Sequence, residues 1–266
     1  MKAIFPSKKT FIKSLYHQIH CQYLVELFKY CGYEIEYTDN VVQLDEVVFE
    51  VVLNDVKFYV DFGDHLKIHT NNRPLIKYHL DKNLKNTDII PISPISFYDW
   101  KQYFELEKKI QYTFGKTVLN NQVPGGAAVK RRLYLKDLIV KSFSNSDTEI
   151  TNQLDYWKKI NTAKVAVFAP GARIDILDRG QLQYMAFGCC TISPELNDKI
   201  TFNKEPIAGI HYIKCKDDFS DVVNIVESLS KDVALKIGNN AKQLFKETCL
   251  PTAIIPNILS RIGINL

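Results

Sequence analysis

The stretch Val165 to Glu195, VAVFAPGARIDILDRGQLQYMAFGCCTISPE, admits few chain paths. Val165-Ala166-Val167-Phe168 has the length and β-branched character of a buried strand, and Pro170 and Gly171 end it. A polar loop follows, carrying Arg173, Asp175, Asp178 and Arg179. Gln181 to Phe187 has helical spacing, and Gly188 stands where a helix takes a left-handed residue after its last turn. Cys189-Cys190-Thr191-Ile192 is a second apolar run, leading to Ser193-Pro194. Strand, charged loop, helix, glycine, strand is a βαβ unit. Its loop falls at the carboxyl end of a parallel strand, where open α/β sheets bind ligands.

The same alternation extends in both directions. Upstream, Lys2 to Phe5 reads as an opening strand and His17 to Cys31 as a helix ended by Gly32. Tyr33 to Tyr37 alternates like a strand. Val47 to Leu53 and Lys57 to Asp61 read as two strands joined by a turn at Asn54-Asp55. Arg73 to Leu84 reads as mostly helical, Ile89 to Ile95 as proline-broken and extended, and Phe97 to Tyr112 as an amphipathic helix. Lys116 to Asn120 is a strand candidate, followed by the loop Gln122 to Ala128 and a helix opening with Lys130-Arg131-Arg132. Thr148 to Ile160 is amphipathic. After Pro194 come a strand at His211 to Lys214 and helices near Asp221–Ser230, Asp232–Thr248 and Pro251–Leu266. We expect an α/β protein of two Rossmann-like domains with a cleft between them. The first spans residues 1–115, and the second spans 116–250. The last segment, 251–266, forms a helix crossing back to the first.

A chain of 266 residues suits two small α/β domains, and 46% hydrophobic with 24% charged residues is ordinary globular composition. A net charge of +4 without a basic run argues against a nucleic-acid partner and suits a small polyanion or plain solvated lysines. None of the six cysteines forms a C-x-x-C pair, and most lie in apolar runs, so reduced core residues in a cytoplasmic setting are expected. No stretch approaches the roughly 20 apolar residues that span a bilayer, and the first residues lack a cleavage signature.

The order PG…R…R-x-x-x-(E/Q)-x-x-A-x-G-C, from Pro170 to Cys189, resembles the donor-binding region of GT-B glycosyltransferases. There a carboxylate five residues before the glycine holds the donor ribose. Here that position is Gln183, an amide that bonds a hydroxyl without charge assistance. His211-Tyr212-Ile213-Lys214 with Asp217 to Asp221, and then Ile237-Gly238-Asn239-Asn240-Ala241 with Leu244-Phe245, is similar to the tail of the protein O-glucosyltransferase/xylosyltransferase family, related to capsule-associated glycosyltransferases. Gly125 to Leu133, with Arg131 and Arg132, is a loose counterpart of that family's arginine-bearing loop.

The resemblance covers residues 116–250 and implies transfer of a sugar from a nucleotide-sugar donor to a glycan or glycoprotein hydroxyl. UDP-xylose or UDP-glucose is favoured, with a GDP-sugar left open. Donor-binding residues are then Gly125, Gly126, Arg131, Arg132, Pro170, Gly171, Arg173, Asp175, Asp178, Arg179 and Gln183. Cations and helix N-termini would stabilise the leaving diphosphate, so no metal or other cofactor is expected. The plainer reading of Gly125-Gly126 and the arginines is a tight turn before a solvated basic helix. An inverting reaction needs a general base, and Asp61, Asp64 and His65 at the end of the Lys57–Asp61 strand are the candidates. A turn cluster around Gly63 accounts for the same residues. His17 and His20, at i and i+3, lack a third metal ligand nearby in sequence. A non-catalytic nucleotide-sugar or glycan-binding module, or a partner subunit of a larger transferase, remains the alternative to an enzyme.

Overall fold

The computed structural model describes residues 1–40, 43–63, 68, 73–78, 80, 83, 89–91, 105–106, 114–171, 175, 177–197 and 204–264. The chain is α/β and divides into two compact units. One comprises Met1–Trp100, Lys199–Lys204 and Thr248–Leu266; the other comprises Lys101–Asp198 and Glu205–Glu247. The first break falls ahead of Gly115, and the final segment groups with the N-terminal unit.

In the first unit, β1 (Lys2–Pro6) leads through a short turn, α1 (Ser14–Tyr16), and a π-helical stretch, His17–Cys21, into α2 (Gln22–Tyr30). Gly32, at φ +82°, ends it in the left-handed region. Then come β2 (Glu34–Thr38), β3 (Gln43–Asp45), β4 (Val48–Leu53), β5 (Val56–Asp61), β6 (Leu75–Lys77) and β7 (Ile89–Pro91). Their order is β2-β1-β4-β5-β6-β7, with β3 also on β4.

This sheet is mixed, not the all-parallel sheet of a Rossmann-like domain. β4 runs antiparallel to both β1 and β5, and Asn54 (φ 46°) and Asp55 (φ 67°) close the two-residue hairpin between β4 and β5. The segment expected to be helical from Arg73 instead contributes β6, parallel to β5 and β7. The helix expected at Phe97–Tyr112 falls almost wholly outside the described residues.

The two faces of this sheet differ. On one, Phe5 meets Phe28 of α2 with ring centroids 5.7 Å apart, and Phe49 packs on Phe11 at 5.4 Å. On the other, Glu50 and Tyr59 are cross-strand neighbours, as are Asp61 and Lys77. Glu50 pairs with Arg73, whose guanidinium lies over the Tyr59 ring. Asp61 and Lys77 are 0% and 1% exposed, with Lys77 Nζ donating to Asp61 Oδ2 at 2.8 Å. A C-terminal helix, Pro251–Arg261, packs against α2 within the same unit.

The second unit has five parallel strands in the order β12-β11-β10-β8-β9. They are β8 (Thr117–Leu119), β9 (Ser146–Asp147), β10 (Ala163–Val167), β11 (Thr191–Ser193) and β12 (Ile213–Lys214). The interleaved helices are α3 (Val129–Ser142), α4 (Gln153–Thr162), α5 (Arg179–Ala186), α6 (Val222–Ser228) and α7 (Lys231–Cys249), and the C-terminal Pro251–Arg261 helix is α8. Both faces of the sheet are covered, which is why Val165 to Phe168 and Cys189 to Ile192 are mostly apolar. Leu135 and Ile139 of α3, Val222 and Val226 of α6, and Ala234 and Ile237 of α7 cluster on Val165, Val167 and Ile192. The alternate residues face α4 and α5: Phe168 meets Tyr184, and Trp157 meets Phe187. Burying each of these rings contributes about 1.5–3 kcal/mol.

Two glycines let the backbone approach closely. A Cβ on Gly180 would lie 2.5 Å from the Phe168 ring, and one on Gly238 of α7 would lie 2.0 Å from the Gly188 carbonyl oxygen. All six cysteines are free, and burial is the chief cause raising the thiols of Cys189, Cys190 and Cys215.

Lys77→Met strands a buried carboxylate and should cost about 3–5 kcal/mol by urea denaturation. Adding Asp61→Asn removes that charge and should recover most of the loss; equal instability of the single and double variants would refute the pairing.

Candidate functional site

Strand order singles out one edge of the second unit. The chain steps from β8 to β9 on one side, then crosses back so that β10 lies on the other side of β8. The loops leaving β8 and β10 therefore diverge. The first enters α3, which covers the Val165–Val167 face; the second enters α5, which covers the Phe168 face. Divergence of adjacent loops at the carboxyl ends of parallel strands opens the crevice in which such sheets bind ligands.

The loop after β8 is anchored by two backbone bonds to the β9 segment, from Val118 N–H to Asn145 O and from Asn120 N–H to Asp147 O, each 2.9 Å. It passes Asn121 and Gln122 and reaches Gly125 in extended backbone. Gly126 is left-handed at φ +58°, which explains a glycine there. A Cβ at either glycine would meet nothing within 4 Å. A 3-10 turn, Gly126–Ala128, leads straight into α3, with Val129 N–H donating to Gly126 O, and Gly125 ahead of that turn makes no side-chain cap.

Both arginines of that turn tie loops together. Arg131 Nη1 donates to the carbonyls of Pro170 and Gly171, each at 2.9 Å. Arg132 Nη1 donates to Val123 O at 3.0 Å, and its Nη2 lies 3.6 Å from Asp178 Oδ2. A guanidinium has five N–H donors, so these bonds leave donors for an anion. Asp178 is the N-cap of α5. Its carboxylate accepts from Gly180 N–H at 3.3 Å, and its own N–H donates to Gln181 Oε1 at 3.2 Å, a capping box. Gln181 Nε2 then donates to Ser193 Oγ on β11 at 2.7 Å. The far end of α5 closes as a Schellman turn: Gly188 N–H bonds Met185 O, Cys189 N–H bonds Tyr184 O, and Gly188 takes φ +71°.

The fold thus brings Gly125, Gly126, Arg131, Arg132, Pro170, Gly171 and Asp178 to one edge. Arg179 is exposed on the first turn of α5, and Asp175 is half-buried with its carbonyl accepting from Asn197 N–H at 2.9 Å. Arg173 lies outside the described residues. Gln183 is only 6% exposed, within the packed body of α5, rather than on a ligand-facing loop.

Asp61 also departs from its expected part. It is fully enclosed, with Oδ2 held by Lys77 and Oδ1 accepting from Gly63 N–H at 2.8 Å. A carboxylate so placed is half of a buried ion pair rather than a base open to solvent. Asp64 and His65 lie outside the described residues. Of the two histidines on the π-helical stretch, His17 Nε2 is 3.1 Å from Pro6 O, and burial lowers its pKa. His20 stacks between Tyr16 and Phe62. Among the described residues no group of three His, Cys, Asp or Glu is placed to hold a metal ion.

Sequence reasoning passed over Asn120, Asn121, Tyr156 and Tyr184. Tyr156 packs on Tyr184 at 6.1 Å, and burial drives both phenols well above their ordinary range. The signal for the asparagines was available: two amides standing directly at a strand's carboxyl end, ahead of Pro-Gly-Gly. No protein-family model matches the chain, and no curated protein sequence matches it.

Asp178→Ala removes the cap and one partner of Arg132, and should cost about 1 kcal/mol in urea denaturation. Asp178→Asn keeps a capping oxygen and should lose less than half of that; a loss equal to that of alanine would show that the ion pair, not the cap, holds α5.

Proposed function

We propose that this chain is a GT-B-type glycosyltransferase whose second unit receives a nucleotide-sugar donor. The observation that carries the reading is a convergence. The segments resembling the family's donor loops, Gly125–Leu133 and Pro170–Gly188, flank the one point where the strand order of the parallel sheet reverses. Around that point stand the 3-10 turn Gly126–Ala128, which has no side-chain cap and leads into a 14-residue helix, and two guanidiniums with donors to spare. These groups suit a diphosphate: the helix end carries roughly half a positive charge, and cations stabilise the charge that develops on the leaving nucleotide. The resemblance favours UDP-xylose or UDP-glucose as donor and a glycan or glycoprotein hydroxyl as acceptor, without a metal. With Asp61 committed to Lys77, the base of an inverting reaction is assigned to Asp64 or His65.

A second reading, a nucleotide-sugar binder without turnover, draws on the burial of Gln183 and of Asp61. Neither side chain stands where the transferase reading wanted it.

Thermal shifts with UDP, GDP, UDP-glucose, UDP-xylose and GDP-sugars, each with EDTA and with Mn²⁺, test both readings. At 100 times its dissociation constant a ligand adds about 2.7 kcal/mol to stability. A shift with one nucleotide family that survives EDTA, accompanied by donor hydrolysis or transfer, is the expected result. Binding without turnover favours the binder, and no shift with any of the panel removes both.

A further inference from the structure

The loop leaving β8 carries a second set of groups, chemically unlike the arginines. Asn120, Asn121 and Gln122 are consecutive, and Asn120 is 3% exposed. Asn120 Oδ1 accepts from Gln122 N–H at 3.5 Å, but its Nδ2 has no partner. Both amide atoms of Asn121 and both of Gln122 are likewise buried and unpaired. Five orphaned amide atoms thus sit on three neighbouring residues. Buried polar groups in native proteins are almost always paired, and leaving them unmade is costly. The strand end that leads into them is fixed, with Val118 N–H bonded to Asn145 O and Asn120 N–H to Asp147 O.

The position of the cluster suggests what completes it. The three residues lie at the carboxyl end of β8, on one side of the crevice, with the charged groups on the turn that follows. A carboxamide is neutral and offers a donor and an acceptor side by side. It matches a partner that also presents both, such as the edge of a nucleobase or a pair of sugar hydroxyls. It is a poor match for phosphate, which takes donors only and would face the amide oxygens.

We infer that Asn120, Asn121 and Gln122 form the subsite for the uncharged part of the bound nucleotide sugar, and that the anionic part belongs to Gly126, Arg131 and Arg132. This rests on the nucleotide-sugar reading above and divides the site by chemistry.

The test replaces the amides with apolar side chains of similar shape, Asn121→Leu with Gln122→Met, and uses Gln122→Met alone as a milder second variant. Removing orphaned groups should leave the melting temperature of the ligand-free protein unchanged or raise it by a few degrees. By titration calorimetry, affinity for whichever of UDP-glucose, UDP-xylose or GDP-sugar stabilises the wild type should fall about tenfold or more. Affinity for inorganic pyrophosphate should not change. Loss for both the nucleoside diphosphate and its sugar conjugate assigns the subsite to the base; loss for the conjugate alone assigns it to the sugar. An undiminished affinity in the variants overturns the inference while leaving the nucleotide-sugar reading intact. So does an equal loss for pyrophosphate, or a ligand-free melting temperature lowered by several degrees without loss of affinity, which would mark the amides as a structural network bridged by water. A wild type that binds none of the nucleotides overturns both.

Discussion

The bonds from Arg131 to the carbonyls of Pro170 and Gly171 fix the geometry on which the second unit depends. Adjacent loops at a strand-order reversal leave the sheet on opposite faces, so nothing in the sheet itself sets the distance between them. A single Arg131 nitrogen, Nη1, donating to two successive carbonyls does so. Arg132 repeats the arrangement one residue later, joining its own loop at Val123 to the cap of α5 at Asp178. The plain reading of these arginines as a solvated basic turn and the reading of them as ligand cations are both incomplete. Their bonds are internal, yet they hold positive charge at an edge where the first turn of α3 adds more.

Much of this architecture was legible from residue pattern. The βαβ unit around Val165 to Glu195 has the expected strands, helix and left-handed Gly188, because a parallel strand covered on both faces is mostly apolar and gives a short hydrophobic run. The hairpin at Asn54-Asp55 followed from turn chemistry, although its antiparallel consequence for the first sheet did not. The illegible parts have particular causes. β9 is two polar residues, Ser146 and Asp147, and carries no hydrophobic signal at all. β6 is three residues long and contains Lys77, so its alternation looks like a charged helical face until the partner is known. That partner, Asp61, is 16 positions away and was itself read as a free carboxylate. Each half of the pair disguised the other.

The same logic separates what the site residues could and could not reveal. Glycine, proline and arginine announced the loops because their backbone and donor chemistry is local. Gln183 was placed by motif position on the expected Gln181–Phe187 helix, and only packing shows that its side chain is buried there. Asn120 and Asn121 carried no motif. Their place at a strand's carboxyl end was readable, but the buried amide atoms left unpaired there are a property that exists only once the chain is folded.

The contact between Gly238 and the Gly188 carbonyl gives α5 unequal ends. At Gly188 backbone meets backbone, with no side chain between that could change rotamer and absorb a displacement. At Asp178 the helix is held by carboxylate, amide and guanidinium groups, each able to exchange one partner for another. The Gly188 end of α5 therefore has no side chain to yield, whereas the Asp178 end can exchange side-chain partners while Gln181, bonded to Ser193, and the buried residues through Ala186 keep the helix on its sheet.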